Sequence, residues 1–288
     1  MVQQYNHYKV LLVGASGMLG SKYFSKSSKL FDIIGTSSSN NYFQKLDITN
    51  SDCCERLIKY FKPDIIVNCS AYTDVDSAEI NKAAAYNLNV KGMKNLIKYS
   101  NKNTKIVHVS TDYIFDGSEK EYFESSLPCP LNYYGKTKLE AENLLRSSNR
   151  KFLIFRINCL FDFDSRCFYS WVIENLKNGS MINVVDDQIS NPTFTDSLVD
   201  VINECIILES EGIFNYGTKD SISRYDFARL IARRNSLNEN LINQIKTADL
   251  NQTAKRPMNS YLNCSKIVDF LDIDLPTISS ILETEVYE

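Results

Sequence analysis

The sequence predicts an α/β protein, a Rossmann-type doubly wound parallel sheet with a smaller C-terminal substrate-binding region. Three observations carry that expectation. Short apolar runs recur without polar alternation, as strands buried on both faces require. Stretches of helical length separate most of them, the alternation that builds a parallel sheet. The first run passes directly into a glycine triplet, Gly14 to Gly20, of the kind that opens dinucleotide folds.

Taken in order, the strand runs are Tyr8 to Val13, Ile33-Ile34, Ile65 to Asn68, Ile106 to Val109 and Phe152 to Phe155. Between them the spacing predicts helices at Met18 to Ser27, Ser51 to Phe61 with Asn50 or Ser51 as cap, Ser77 to Tyr99, and Tyr134 to Ser147. Pro63 ends the second of these. The polar stretch from Thr36 to Asn41 reads as a loop. After Arg156 the alternation weakens, and Phe168 to Asn178 and Arg224 to Arg234 read as helices joined by Asn-, Asp- and Gly-rich loops. A dinucleotide-binding domain is therefore expected over 1–156, with a return segment near 188–215. The substrate-binding region then takes 157–187 and 216–288.

Composition narrows the function classes. A chain of 288 residues can form one large or two modest domains, and 43% hydrophobic with 23% charged residues is ordinary globular usage. A net charge of −3 without a basic run of five argues against nucleic acid as a partner. Met1 to Val10 carries Gln, Asn, His and Tyr where a signal peptide would need an apolar core, and no apolar run is long enough for a membrane span, so a cytoplasmic protein is expected. The eight cysteines, at 53, 54, 69, 129, 159, 167, 205 and 264, form no C-x-x-C pair, and the histidines are His7 and His108 alone. No metal site is expected, and the thiols read as reduced.

In Gly14-Ala15-Ser16-Gly17-Met18-Leu19-Gly20 the first glycine permits the tight turn. The second lets backbone amides approach a pyrophosphate, the third lets helix and strand pack, and the helix N-terminus favours negative charge. NAD-preferring folds place an acid at the end of the second strand; here stand Thr36, Ser37 and Ser38, hydroxyls able to donate to a 2′-phosphate. NADPH is therefore expected over NADH. Asp47, beside Ile48 where a third strand should end, is positioned either to reach the adenine or to cap a helix.

Tyr134 and Lys138 form a Y-x-x-x-K on one helical face, a spacing that lets an ammonium stabilise a phenolate. Ser110-Thr111-Asp112 follows the strand Ile106 to Val109, at the sheet edge where open parallel sheets bind ligands. A proton donor, a hydroxyl for a carbonyl oxygen and an orienting charge, all downstream of a nucleotide turn, point to hydride transfer to a carbonyl.

The chain resembles the dTDP-4-dehydrorhamnose reductases of the extended short-chain dehydrogenases from Val10 to about Leu262. The residues carrying the likeness are Gly14 to Gly20, Asn68 to Asp76, Asn89 to Gly92, the run STDYIFDG from Ser110 to Gly117, Tyr134 to Lys138, Asp187-Gln188 with Pro192-Thr193, and Arg256-Pro257 with Ser260. The resemblance implies Thr111 as the carbonyl-binding hydroxyl, Tyr134 as general acid and Lys138 as its partner, with NADPH as hydride donor. It further implies that Met18, Leu19, Ser70, Ala71, Tyr72 and Asn89 lie at the cofactor. Thr73, Asp112, Asn158, Gln188, Pro192, Thr193 and Arg256 would then face a nucleotide sugar, with Arg256 on the diphosphate. Cys159 departs from the pattern, standing where the family often carries a tryptophan. The alternatives are a UDP- or GDP-linked 4-keto sugar, a bifunctional epimerase and reductase, and a non-catalytic dinucleotide-binding regulatory subunit. Some relatives dimerise around magnesium; the homodimer and the magnesium both stay open, since no acidic cluster is assignable to the ion.

Overall fold

The computed structural model describes residues 8–284. His7 and most of the polar N-terminal stretch lie outside them.

The first strand, β1 (Lys9–Val13), turns Val10 and Leu12 to one side of the sheet and Leu11 and Val13 to the other, and all four are buried. Helices cover both faces, which is why the run carries no polar alternation. After β1 come α1 (Met18–Ser27), β2 (Asp32–Ser37), β3 (Gln44–Lys45), α2 (Ser51–Phe61), β4 (Ile65–Asn68) and, beyond further helices, β5 (Lys105–Thr111). The chain continues through α6 (Tyr133–Arg146), β6 (Phe152–Ile157) and, much later, β9 (Gly212–Asn215). These strands form one seven-stranded sheet in the order β3-β2-β1-β4-β5-β6-β9, every pairing parallel. The order reverses between β1 and β4, so a crevice opens at their carboxyl ends.

Two expectations change and one alternative is decided. The Ser77 to Tyr99 helix is broken into α3 (Val75–Ile80), α4 (Lys82–Tyr86), a π-helical turn over Asn87–Lys91, and α5 (Gly92–Tyr99). Asn81 leaves helical geometry at φ −102° and ψ 51°, and the wide turn then carries Asn89 to hydrogen bonds outside its own helix. Thr36 and Ser37 are the buried end of β2 rather than loop. Asn50, not Asp47, caps α2, accepting from Cys53 N–H at 3.0 Å.

Beyond β6 lie α7 (Phe168–Lys177), β7 (Ile182–Val185), β8 (Ile189–Ser190) and α8 (Thr195–Ile207), then β10 (Ile222–Ser223), α9 (Arg224–Arg234) and β11 (Ile242–Ile245), and finally α10 (Ser265–Leu271) and α11 (Ile278–Glu283). A second core of Phe161, Tyr169, Phe194, Phe227 and neighbouring aliphatics gathers α7, α9, α11, β7 and β11. Helix α8 instead lies on α1, tied by Lys26 to Asp200 at 2.9 Å and Ser27 to Asn203 at 3.0 Å. Ile189-Ser190 pairs with β10 outside the large sheet.

Candidate active site

The glycine turn is shaped by close approach. Gly14 sits at φ +82°, and a Cβ there would stand 2.9 Å from Ser70 N. A Cβ on Gly20 would stand 2.0 Å from Gly14 O, so the third glycine lets α1 press on the turn. At Gly17 the nearest atom would be Gly14 O at 3.5 Å, which leaves that side of the turn open for a ligand. Gly17 is the N-cap of α1 and has no side chain, so the first-turn N–H groups remain for an anion. Ser16 Oγ meets Ser37 Oγ at 2.8 Å beside this turn, and Ser37 also accepts from Ser39 and Asn40 N–H.

Around the carboxyl ends of β1, β4, β5 and β6 lies a cleft of about 590 Å³, lined by Gly17, Met18, Leu19, Ala71, Thr73, Thr111, Asp112, Tyr134, Lys138, Asn158, Cys159, Arg166 and Arg224, among others. A second depression of about 450 Å³ lies at the amino ends of the strands, around Asp64, Thr104 and Lys105, and touches none of these groups.

Helix α6 delivers the tyrosine and lysine. Asn132 caps it, accepting from Gly135 N–H at 2.8 Å, and Gly135 lets it approach Tyr113 O, where a Cβ would stand 2.1 Å away. Tyr134 is thereby brought beside Thr111 at the end of β5, both lining the cleft. Thr111 Oγ1 donates to Asp112 Oδ1 at 3.1 Å. Burial, partly opposed by Thr111, pushes the Tyr134 phenol well above its ordinary value, so it is protonated at neutral pH. Lys138 is pulled down to about 8 by burial, against the nearby Glu142 carboxylate. Its Nζ does not bond Tyr134 directly as the spacing suggested; it donates to Val109 O at 2.6 Å and stands 3.3 Å from His108 Nε2. Asp112, 3% exposed, is raised to about 6, because burial outweighs the opposing influence of the nearby Ser260 and Thr111 hydroxyls.

Several expected ligands are engaged elsewhere. The Thr36 hydroxyl is fully buried and donates to Leu12 O at 2.9 Å, so it is not free for a 2′-phosphate; Ser38 is exposed beside Ser37. Asp47 accepts from Thr49 N–H at 2.8 Å and its hydroxyl at 2.7 Å, while Ile48 is core and its carbonyl accepts from Asn95. Ser70 donates to Asn68, and Tyr72 N–H to Asn89 Oδ1 at 2.7 Å; Asn89 Nδ2 reaches Thr137 at 2.8 Å. Asn89 thus ties the loop after β4 to α6. Pro192 and Thr193 are interior, and Thr193 Oγ1 donates to Tyr216 O at 3.0 Å. Asn158 borders the cleft, but its amide donates to Asn191 and Ser260. Gln188 borders a narrow extension of the cleft with Asp112, Arg224 and Ser260. Arg256 is clamped on Asp76 through two 2.6 Å bonds, which uses the fork expected for a diphosphate.

The sequence reading missed Arg224. As the first residue of α9 it sends its guanidinium into the cleft, over the Phe168 ring at 5.1 Å, onto Cys159 Sγ and towards Tyr113. Its only local signal was a cation opening a helix. Cys159 itself holds φ +36°, a strained conformation for a non-glycine residue, at the cleft wall. Among the described residues no three His, Cys, Asp or Glu side chains gather to hold a metal, and no helix is long and apolar enough to cross a membrane.

Residues 8–286 match the family model described as the RmlD substrate binding domain. A dTDP-4-dehydrorhamnose reductase of Aggregatibacter actinomycetemcomitans is 35% identical over 275 residues, covering 90% of this chain and 92% of that protein. The methionine adenosyltransferase 2 subunit beta of Danio rerio is 29% identical over 271 residues, covering 90% and 84%. The crystal structure of dTDP-4-dehydrorhamnose reductase from Bacillus anthracis str. Ames in complex with NADP superposes with a TM-score of 0.89 at 29% identity, covering 96% and 97%.

Proposed function

Because the chain belongs to the RmlD substrate binding domain family, we infer that it is an NADPH-dependent oxidoreductase reducing the 4-keto group of dTDP-4-dehydro-L-rhamnose to give dTDP-L-rhamnose. The observation that supports this most directly is the meeting of Thr111, Tyr134 and Lys138 in a cleft beside the open glycine turn.

NADPH, when bound, supplies the hydride. The residues suited to hold it are the Gly14 to Gly20 turn, whose open side at Gly17 admits a phosphate, with Ser16 and Ser37 beside it. In this reading Thr111 donates to the keto oxygen and Tyr134, held protonated by burial, passes its proton to that oxygen as charge develops there. Lys138 and Asn89 orient the cofactor edge of the cleft. Arg224 takes the part first expected of Arg256, presenting donors to the anionic part of the substrate. The reading also takes the protein to be cytoplasmic, with a homodimer as a further expectation that light scattering decides.

The test is NADPH oxidation followed by absorbance with dTDP-4-dehydro-L-rhamnose, beside the UDP- and GDP-linked 4-keto sugars. Turnover confined to the dTDP sugar is expected. Tyr134→Phe should bind NADPH as before and lose about 10²- to 10⁴-fold in kcat; unchanged turnover would remove Tyr134 from the role of acid. The likeness to a methionine adenosyltransferase subunit favours one second reading, a dinucleotide-binding subunit without turnover. NADPH binding with silence on all three sugars would select it.

A further inference from the structure

Behind the catalytic helix a line of polar groups runs from the loop after β4 to Lys138, and its donors and acceptors can be assigned one by one. Ser70 donates twice to Asn68 Oδ1, from its N–H at 3.1 Å and its hydroxyl at 2.7 Å. A backbone N–H can only donate, so Asn68 turns its amide nitrogen towards His108 Nδ1, 3.4 Å away. His108 Nδ1 is therefore an acceptor. Burial holds the His108 imidazole well below its ordinary pKa, hence neutral, and a neutral ring that accepts at Nδ1 carries its proton on Nε2.

That Nε2–H points at Lys138 Nζ, 3.3 Å away, while Nζ donates to Val109 O at 2.6 Å. An ammonium has donors and no lone pair, so it would meet the imidazole donor to donor. A neutral amine accepts the bond. Shifting the ring proton to Nδ1 only moves the clash to the Asn68 amide. Of the arrangements open to this buried line, the uncharged amine alone leaves every atom satisfied, and a buried donor without an acceptor is destabilising.

We propose that His108 is a positioning residue that favours the uncharged amine of Lys138 in the cofactor-free protein, so that NADPH binding draws a proton from solvent onto Lys138. The proposal rests on the cofactor reading above. The other ionisable groups facing Lys138 are Glu142, which favours the ammonium but is engaged by Arg156, and Cys69, pushed by burial up to about 12 and so a neutral thiol. Tyr134, one turn before it, stays protonated. Burial prevails over Glu142 and leaves Lys138 near 8, within reach of a bound ligand's charge. The phosphates of NADPH are negative and favour the ammonium.

Two measurements need no variant. The chain has two histidines, His7 and His108, so the ¹⁵N spectrum of histidine-labelled protein reports the buried ring directly. A proton on Nε2 without cofactor is expected; a proton on Nδ1 overturns the proposal. Calorimetry of NADPH binding in buffers of different ionisation enthalpy should give uptake of about one proton at pH ~9, falling towards none near pH ~6.5, where Lys138 is already charged. Binding without uptake at the higher pH overturns the inference and leaves the reductase reading intact, whereas failure to bind NADPH overturns the reductase reading itself. His108→Gln offers an oxygen that accepts from the ammonium, and should at least halve the uptake at pH ~9; full uptake in that variant also refutes the role of His108.

Discussion

Glu142→Ala should destabilise the protein more than its single lost side chain suggests. The Glu142 carboxylate is fully buried and accepts from Ser110 Oγ at 2.5 Å, Arg156 Nε at 3.2 Å and Arg156 Nη2 at 2.8 Å. Arg156 is 1% exposed, so removing the carboxylate strands a guanidinium with only Glu124 O at 3.0 Å and the Phe115 ring at 5.4 Å. Breaking one side of such a pair costs about 3–5 kcal/mol. With an unfolding entropy near 0.6 kcal/mol/K for a chain of this size, the melting temperature should fall by about 5–8 °C. Urea titration and thermal melts measure this. The double variant Glu142→Leu with Arg156→Met should recover most of the loss, because the pair's own desolvation cost disappears with it. Since Ser110 adjoins Thr111 and Glu142 lies one turn beyond Lys138, kcat should fall in the single variant as well. A loss below about 1 kcal/mol, or a double variant as weak as the single, would refute the reasoning.

Gly17→Ala and Gly20→Ala should separate. The first adds a methyl to open space, with Gly14 O at 3.5 Å, so melting should barely change while NADPH affinity drops. The second drives a Cβ to 2.0 Å from Gly14 O and should cost stability, about 1–3 kcal/mol, as well as affinity. Equal melting temperatures for the two would contradict the packing argument. Asp112 predicts a pH dependence. Its folded carboxyl titrates near 6 against 3.8 ordinarily, so from pH ~4 to ~6 the native state keeps a proton that the unfolded chain releases. Its contribution is most favourable below that window and is lost as pH rises through it, by about 2–3 kcal/mol. Asp112→Asn should be the more stable protein at pH ~7 and lose that advantage near pH ~4; parallel melting curves across that range would count against it.

Much of the sheet was legible because its strands are buried on both faces. Runs such as Ile65 to Asn68 have no other reading beside a helix-length spacer. The two-residue β3, Gln44–Lys45, was not, since it is exposed and polar and pairs only with the end of β2. The break between Ser77 and Tyr99 was hidden because Lys82-Ala83-Ala84-Ala85 favours helix and the apolar spacing runs on across the wide turn. Thr111, Tyr134 and Lys138, which the fold brings to one cleft, could be grouped from the sequence because the chemistry expected of them depends on local spacing or on a strand end. Thr36, Thr193 and Arg256 are found engaged within the protein for one shared reason. Each carries a suitable polar group, but Leu12 O, Tyr216 O and Asp76, distant in sequence, already use it. Arg224 escaped notice for the converse reason, as only the fold carries the start of α9 to Cys159.

The π turn at Asn87–Lys91 also has a consequence for how the chain tolerates change in length. An α-helix advances about 100° per residue, so one extra residue in a turn sets the two segments flanking it out of phase. Upstream, Ala85 packs with Ala78 and Tyr134; downstream, Met93 and Leu96 enter the core beneath the sheet. Deleting one residue here would restore a regular helix and force the chain to choose which of those faces to satisfy. A surface loop absorbs such a deletion, whereas this buried phase shifter would pass it on to the wall of the cleft or to the core.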